Sequence, residues 1–255
     1  MTQPNFSIDL SGSTAIVTGA SSGFGHRFAS ILAACGAKVA CTARRREKLD
    51  KLVEQIRANG GTADAFDLDV REAEQLEAII PTVADRLGQP DILVNNAGIP
   101  DAQRAVNMSR DLIDNVFDTN LRSAFILSNE FARPLIKGGT PGRIVNIAST
   151  LAFHYDGNGA ALYSTTKAGL ARMTEALAVE WSRFFINVNA IAPGAFSTEM
   201  MDGMVERMGD IAKYFPRQRM CQTEQMDSTL LYLVSPASEA VTGTVIKVDD
   251  GQGPR

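Results

Sequence analysis
The chain alternates short apolar, β-branched runs with longer segments whose apolar positions recur at helical spacing. The short runs predict strands over residues 14–18, 37–42, 62–68, 91–94, 143–148, 187–191 and 244–248. The longer segments predict helices over 24–35, 47–59, 72–87, 108–136, 161–184, 198–213 and 224–233. Such alternation is the pattern of a parallel sheet covered on both faces. The expected fold class is therefore α/β, a doubly wound parallel seven-stranded sheet with helices on both faces. No linker, internal repeat or low-complexity tract breaks the pattern. Residues 1–255 read as one domain, with about residues 1–10 as an N-terminal extension. Ligands of such sheets bind at the carboxyl ends of the strands, so chemistry is sought in the loops there.

Composition narrows the partners. The 255 residues are 45% hydrophobic, enough for a sizeable core, and charges are evenly mixed with a net charge of −4. Neither nucleic acid nor an acidic membrane surface is expected as a partner. Cys35, Cys41 and Cys221 lack the spacing of a zinc site or a disulfide framework. With His26 and His154 the only histidines, a histidine-rich metal site or a Ser-His-Asp triad has little material. No basic start leads into an apolar run, and no apolar stretch of about 20 residues occurs. A soluble, cytoplasmic protein without a metal site is expected.

The loop after the first strand, Thr18-Gly19-Ala20-Ser21-Ser22-Gly23-Phe24-Gly25, opens into a helix. Glycines there let the backbone approach a ligand, and the free N–H groups of the helix start favour a pyrophosphate. Glycine also serves turns that bind nothing. After the second strand come Ala43-Arg44-Arg45-Arg46, where a carboxylate would select NAD. Cations at a helix start oppose its dipole, and an anion such as the 2′-phosphate of NADP relieves that cost. A solvated surface turn is the competing reading. Asp69 follows the third strand, as an acceptor for an adenine amino group or as a helix cap. Asn95-Asn96-Ala97-Gly98 ends the fourth strand, with small residues beside which a ring or ribose can lie; asparagines there also tie up backbone groups. Asn120 sits inside a helical segment, a position that calls for a buried partner or a held water.

Tyr163 and Lys167 are four residues apart, one helical turn. A nearby ammonium favours the phenolate, so the tyrosine pKa is expected to move down from about 10 toward neutrality. Ser149 ends the fifth strand and is placed to donate to a substrate oxygen, with Thr150 as its competitor. Pro193-Gly194 forms a rigid turn after the sixth strand, and Thr198 starts the next helix. Exposed main-chain groups there suit a carboxamide.

In this order the motifs resemble the short-chain dehydrogenase/reductases of the classical type, over about residues 10–251. The resemblance implies a Rossmann fold and hydride transfer between a nicotinamide and a carbonyl or secondary alcohol. It implies Tyr163 as general acid/base and Lys167 as the residue that lowers its pKa and binds the nicotinamide ribose. It makes Ser149 the residue that polarises the substrate oxygen, and Asn120 the holder of a relay water. Gly19, Ser21, Ser22, Gly23, Phe24, Gly25, Asp69, Val70, Asn96, Ala97, Gly98, Pro193, Gly194 and Thr198 fall at cofactor positions. Ala43-Arg44, with Arg45, resembles the subgroup that favours NADP(H) over NAD(H). Relatives are commonly tetramers built on the two long central helices, here 108–136 and 161–184, so a homotetramer is expected.

Two departures stand out. Thirteen residues separate Ser149 from Tyr163, one more than is usual. The usual D-G-G near the end is Asp249-Asp250-Gly251. For substrate, Leu151, Phe153, His154 and Tyr155, with Phe196, Met200, Met201, Met204 and Met208, predict a roomy and mostly apolar pocket. Helix packing is the alternative role for the methionines. Leu151, Phe153, Phe196 and Met200 are the named substrate contacts. Thr140 and Val179 stand where carrier-protein reductases resemble one another in basic docking residues, which disfavours that substrate. An NAD-linked alcohol or polyol dehydrogenase and a non-catalytic dinucleotide sensor complete the alternatives.

Overall fold
The computed structural model describes residues 8–101, 103–155, 157 and 159–253; the side chains of residues 207 and 208, including the expected pocket residue Met208, lie outside it. Most of the expected N-terminal extension, residues 1–7, also lies outside.

The strands are β1 (Thr14–Thr18), β2 (Lys38–Ala43), β3 (Thr62–Asp67), β4 (Ile92–Asn95), β5 (Gly142–Ile147), β6 (Ile186–Pro193) and β7 (Val245–Val248). They form one seven-stranded sheet in the order β3-β2-β1-β4-β5-β6-β7. All pairings are parallel. The helices are α1 (Gly23–Ala34), α2 (Arg46–Ala58), α3 (Ala73–Leu87), α4 (Arg110–Phe117), α5 (Ser123–Gly138), α6 (Ala161–Trp181), α7 (Glu199–Met208) and α8 (Asp227–Val234).

Central strands read as continuous apolar runs because both faces are covered. In β1, Ala15 and Val17 join the core under α1, α2 and α8. Ile16, between them, joins the opposite core under α3, α5 and α6. The order of strands reverses direction between β1 and β4, which opens a crevice at their carboxyl ends. Register keeps those ends level: Thr18 pairs with Thr42, Asn95 with Asn146, and Ile147 with Ile191. Loops that are far apart in sequence thus meet along one edge.

Three helices differ from their expected extents. The segment expected over 108–136 starts at Arg110, where Ser109 caps the Leu112 N–H at 3.1 Å. A π-helical turn, Asp118–Arg122, separates α4 from α5 and contains Asn120. The helix expected over 198–213 stops at Met208, because Gly209 takes a left-handed φ of 75°. A single turn, Ala212–Tyr214, follows it. The last expected helix divides into a turn, Thr223–Met226, and α8.

Candidate active site
The crevice is a cavity of about 850 Å³ that runs from the loop after β1 to the C-terminal turn. It starts at the glycine loop. Gly25 packs so closely that a Cβ would lie 2.3 Å from the Gly19 carbonyl oxygen, and Gly19 itself has a φ of 67°. Ser22 is the N-cap of α1, yet its side chain caps no N–H and the first turn carries no acidic residue. The start of α1 is thereby left open to an anion, which fits the pyrophosphate of a dinucleotide. Ser21, Ser22, Gly23 and Phe24 line the cavity there.

Asn96 acts behind this cradle. Its Nδ2 donates to the Thr18 carbonyl at 2.8 Å, and its backbone N–H donates to Thr18 Oγ1 at 2.9 Å. The amide is thus spent on fastening two loops, and the small residues Ala97 and Gly98 supply the open wall. Asn95 is buried deeper, bonded to Ser128 and Asn146, and is structural.

The arginines after β2 differ from expectation, since carboxylates already face each of them. Arg44 lies 3.8 Å from Asp69, Arg45 bonds Glu199 at 2.9 Å, and Arg46 bonds Asp50 at 2.8 Å. Arg45 also donates to Ser21 at 3.1 Å and Ser22 at 2.6 Å, so it braces the glycine loop. The Glu199 carboxyl, held by Lys48 and then Arg45, is pushed down to about 2. Asp69 bonds the Arg71 side chain and backbone and caps no helix with its carboxylate; Glu72 is the N-cap of α3. Arg44, Arg45, Asp69 and Val70 all line the cavity.

At the middle of the cavity stand Ser149, Tyr163 and Lys167. The Ser149 hydroxyl, which accepts the Leu151 N–H at 3.2 Å, lies near enough to the Tyr163 phenol to favour its anion. Its competitor Thr150 donates instead to the Pro193 carbonyl at 3.3 Å, so Ser149 is the hydroxyl facing the tyrosine. Lys167 is 3% exposed and its Nζ donates to the Ile147 carbonyl at 2.7 Å. It lies 5.5 Å from the centre of the Tyr163 ring.

The expected drop in the tyrosine pKa does not occur. Burial pushes the phenol up to about 12, against the opposing Ser149 hydrogen bond and with help from the Asp101 charge. Burial likewise pushes the Lys167 ammonium down to about 8. Both groups resist charging because the desolvation cost exceeds what their neighbours return.

Asn120 accepts from the Ile99 N–H at 2.8 Å and donates to the Ile99 carbonyl at 2.9 Å. Its side chain is thus engaged with protein. A Cβ on Gly98 would meet Asn120 Oδ1 at 3.4 Å and Lys167 Nζ at 3.5 Å, so the three residues converge.

The far end of the cavity is apolar. Leu151, Phe153, Met200, Met201 and Met204 line it, and Phe153 also stacks under Lys247 at 4.6 Å. Phe196 also lines the cavity, though it is only 2% exposed and packs edge-on against Phe24. Pro193, Gly194 and Thr198 also line the cavity. Asp101, Ile211, Tyr214, Phe215, Lys247 and Gln252 also line the cavity, and sequence reasoning missed them. Tyr214 and Phe215 follow α7 closely enough to have been found; Asp101, Lys247 and Gln252 carry no periodic signal. Among the described residues, no group of three or more His, Cys, Asp or Glu side chains is arranged to hold a metal ion. No helix among them is long and apolar enough to cross a membrane.

Comparison with known proteins agrees with this geometry. A family model described as enoyl-(acyl carrier protein) reductase matches residues 19–252. A gluconate 5-dehydrogenase of Gluconobacter oxydans is 35% identical over 98% of each chain. A 3-oxoacyl-[acyl-carrier-protein] reductase of Pseudomonas aeruginosa is 37% identical over 96% of this chain and 98% of its own. The crystal structure of a gluconate 5-dehydrogenase from Burkholderia cenocepacia, in complex with NADP and tartrate, superposes with a TM-score of 0.90 at 32% identity, covering 96% of each chain. The chain belongs to the classical short-chain dehydrogenase/reductases. It is an NAD(P)-dependent oxidoreductase acting between carbonyl and alcohol groups.

Proposed function
We propose that the chain is an NADP(H)-dependent reductase of small to medium, mostly apolar ketones, with Tyr163 as the proton donor. The observation that carries this reading is that Ser149, Tyr163 and Lys167 line one cavity together with the glycine cradle and the apolar side chains of Leu151, Phe153 and Met200. When bound, the nicotinamide exchanges a hydride with the substrate carbon. Gly19, Ser21, Ser22, Gly23, Phe24 and Gly25 hold the pyrophosphate, Asp69 and Val70 the adenine, and Ala97 and Gly98 the ribose wall. Pro193, Gly194 and Thr198 bound the carboxamide. Tyr163 gives its proton to the developing alkoxide while Ser149 bonds the same oxygen. Lys167 places positive charge beside the phenol and the ribose. Asn120, its side chain fixed on Ile99 in the π-helical turn, holds through its backbone a water that returns the proton.

A second reading is favoured by one observation. Each arginine after β2 already faces a carboxylate, so an NAD-linked alcohol dehydrogenase also fits. Relatives described as gluconate dehydrogenases and as oxoacyl reductases leave the substrate class divided. Against a carrier-protein substrate, Thr140 and Val179 are exposed and uncharged where docking cations are expected. We infer a homotetramer formed through α5 and α6, where Phe125 and Val179 are exposed.

Paired titrations with NADPH and NADH separate the readings. NADPH is expected to bind at least about tenfold tighter, worth about 1.4 kcal/mol, and Arg44→Ala to remove most of that difference. Tighter NADH binding overturns the NADP(H) reading and directs assays to alcohol oxidation.

A further inference from the structure
Asp101 is a buried carboxylate for which the mechanism above has no use. It follows the Asn95-Asn96-Ala97-Gly98 loop, is 4% exposed and lines the cavity. Its Oδ2 accepts the backbone N–H of Tyr163 at 2.9 Å, across 62 residues of sequence. Tyr163 is the third residue of α6, so its N–H is among those without an acceptor inside the helix. The N-cap residue, Ala160, has no side chain able to serve, and the first turn contains no acidic residue. Asp101 therefore supplies from the β4 loop both the cap and the negative charge that a helix start favours.

What distinguishes this cap is the residue it holds. The hydrogen bond ends on the backbone of the residue that carries the phenol, which fixes the origin of that side chain. It also places the charge of a buried carboxylate on the same residue whose phenol must alternate between neutral and anionic forms. We propose that Asp101 is a positioning residue for proton transfer, locking the Tyr163 backbone and setting the charge balance under which the phenol yields its proton. The proposal rests on Tyr163 being the proton donor.

The direction follows from charge. A carboxylate opposes formation of the phenolate, and Asp101 acts with burial in raising the proton affinity of Tyr163. Lys167, on the same helix, acts in the opposite sense as a cation. Among the described residues, His154 from the loop after β5, Tyr214 from the turn after α7, and Lys247 and Asp249 from the β7 side are further titratable groups along the cavity. Asp101 thus makes the phenolate a stronger base and moves its formation to higher pH. The position joins the cofactor-side loop after β4 to the catalytic helix, so a shift of that loop is felt at the phenol.

The test is the pH profile of kcat/KM for alcohol oxidation in Asp101→Asn, whose amide oxygen keeps the cap and removes the charge. Its ascending limb, which follows formation of the phenolate, is expected to move to lower pH by about half a unit or more, the scale of one neighbouring charge. Asp101→Glu, which keeps the charge, is expected to retain the wild-type limb. An unshifted limb in a folded Asn variant overturns the proposal and leaves Asp101 a structural cap. If the Asn variant does not fold, Asp101→Ser retains a capping hydroxyl and is read by the same criterion. The underlying reading fails separately: turnover retained in Tyr163→Phe removes the proton donor, whatever the Asp101 variants do.

Discussion
At the residue scale, the spacing of Tyr163 and Lys167 was legible because a helix brings such pairs to one face. Their proton affinities were not, because they depend on burial created by loops distant in sequence. Two outcomes follow. Ser149→Ala is expected to lower kcat by about a hundredfold or more, the loss typical of one donor at a developing oxyanion. Thr150→Ala, whose hydroxyl is engaged with Pro193, is expected to change it by no more than severalfold. Steady-state kinetics of the two variants check this, and equal losses would contradict the assignment. Lys167 makes a prediction for stability. Its pKa falls from 10.5 to about 8 on folding, so the unfolded chain binds more protons between these values. Burying the ammonium destabilises the fold by on the order of 3 kcal/mol at pH 7, a penalty that fades as pH rises from about 8 to 10.5. Urea midpoints of wild type, measured against Lys167→Met across that window, are expected to show wild type gaining. Tyr163 acts oppositely, its raised pKa withdrawing stability between 10 and about 12.

At the element scale, all seven strands lie within two residues of their predicted bounds, since their apolar runs are fixed by burial on both faces. Helix ends were less legible. The π-helical turn at Asn120 left only a mid-helix asparagine as its sign, and the end of α7 depended on the left-handed Gly209. The departure at Asp250 now has a physical account. Asp250 takes a φ of 52°, in the left-handed region where glycine is at ease. Its carboxylate bonds Arg217 at 2.5 Å and Arg219 at 2.7 Å, both in the stretch after α7. The strained position thus ties the C-terminal turn to the chain that borders the apolar chamber. Asp250→Gly relieves the backbone, about 1 kcal/mol, and releases exposed ion pairs of similar or smaller worth. The expected result is a melting temperature within a few degrees of wild type and several-fold faster proteolysis within residues 209–220. Unchanged proteolysis would show that the two ion pairs restrain nothing.

At the scale of the whole molecule, the sheet order brings loops from β1, β2, β4, β5 and β6 to one edge, and that edge was readable from the strand–helix alternation. What alternation could not supply was which of the many polar groups there face one another. Asn96 faces Thr18, Arg45 faces Glu199, and Asp101 faces Tyr163. Each pair joins segments whose separation in sequence hides the contact. The methionines of α7 line the cavity as expected, whereas Lys247 and Gln252 enter it only through the fold.

The central claim is that one phenol moves the proton while the rest of the cavity binds and aligns. Its most direct test is Tyr163→Phe, with NADPH binding and ketone-dependent NADPH consumption measured on the same preparation. The account predicts binding within about threefold of wild type and turnover reduced by about a thousandfold or more, as expected when a general acid is removed. Turnover near wild type, with binding intact, would place the proton donor elsewhere and contradict the account.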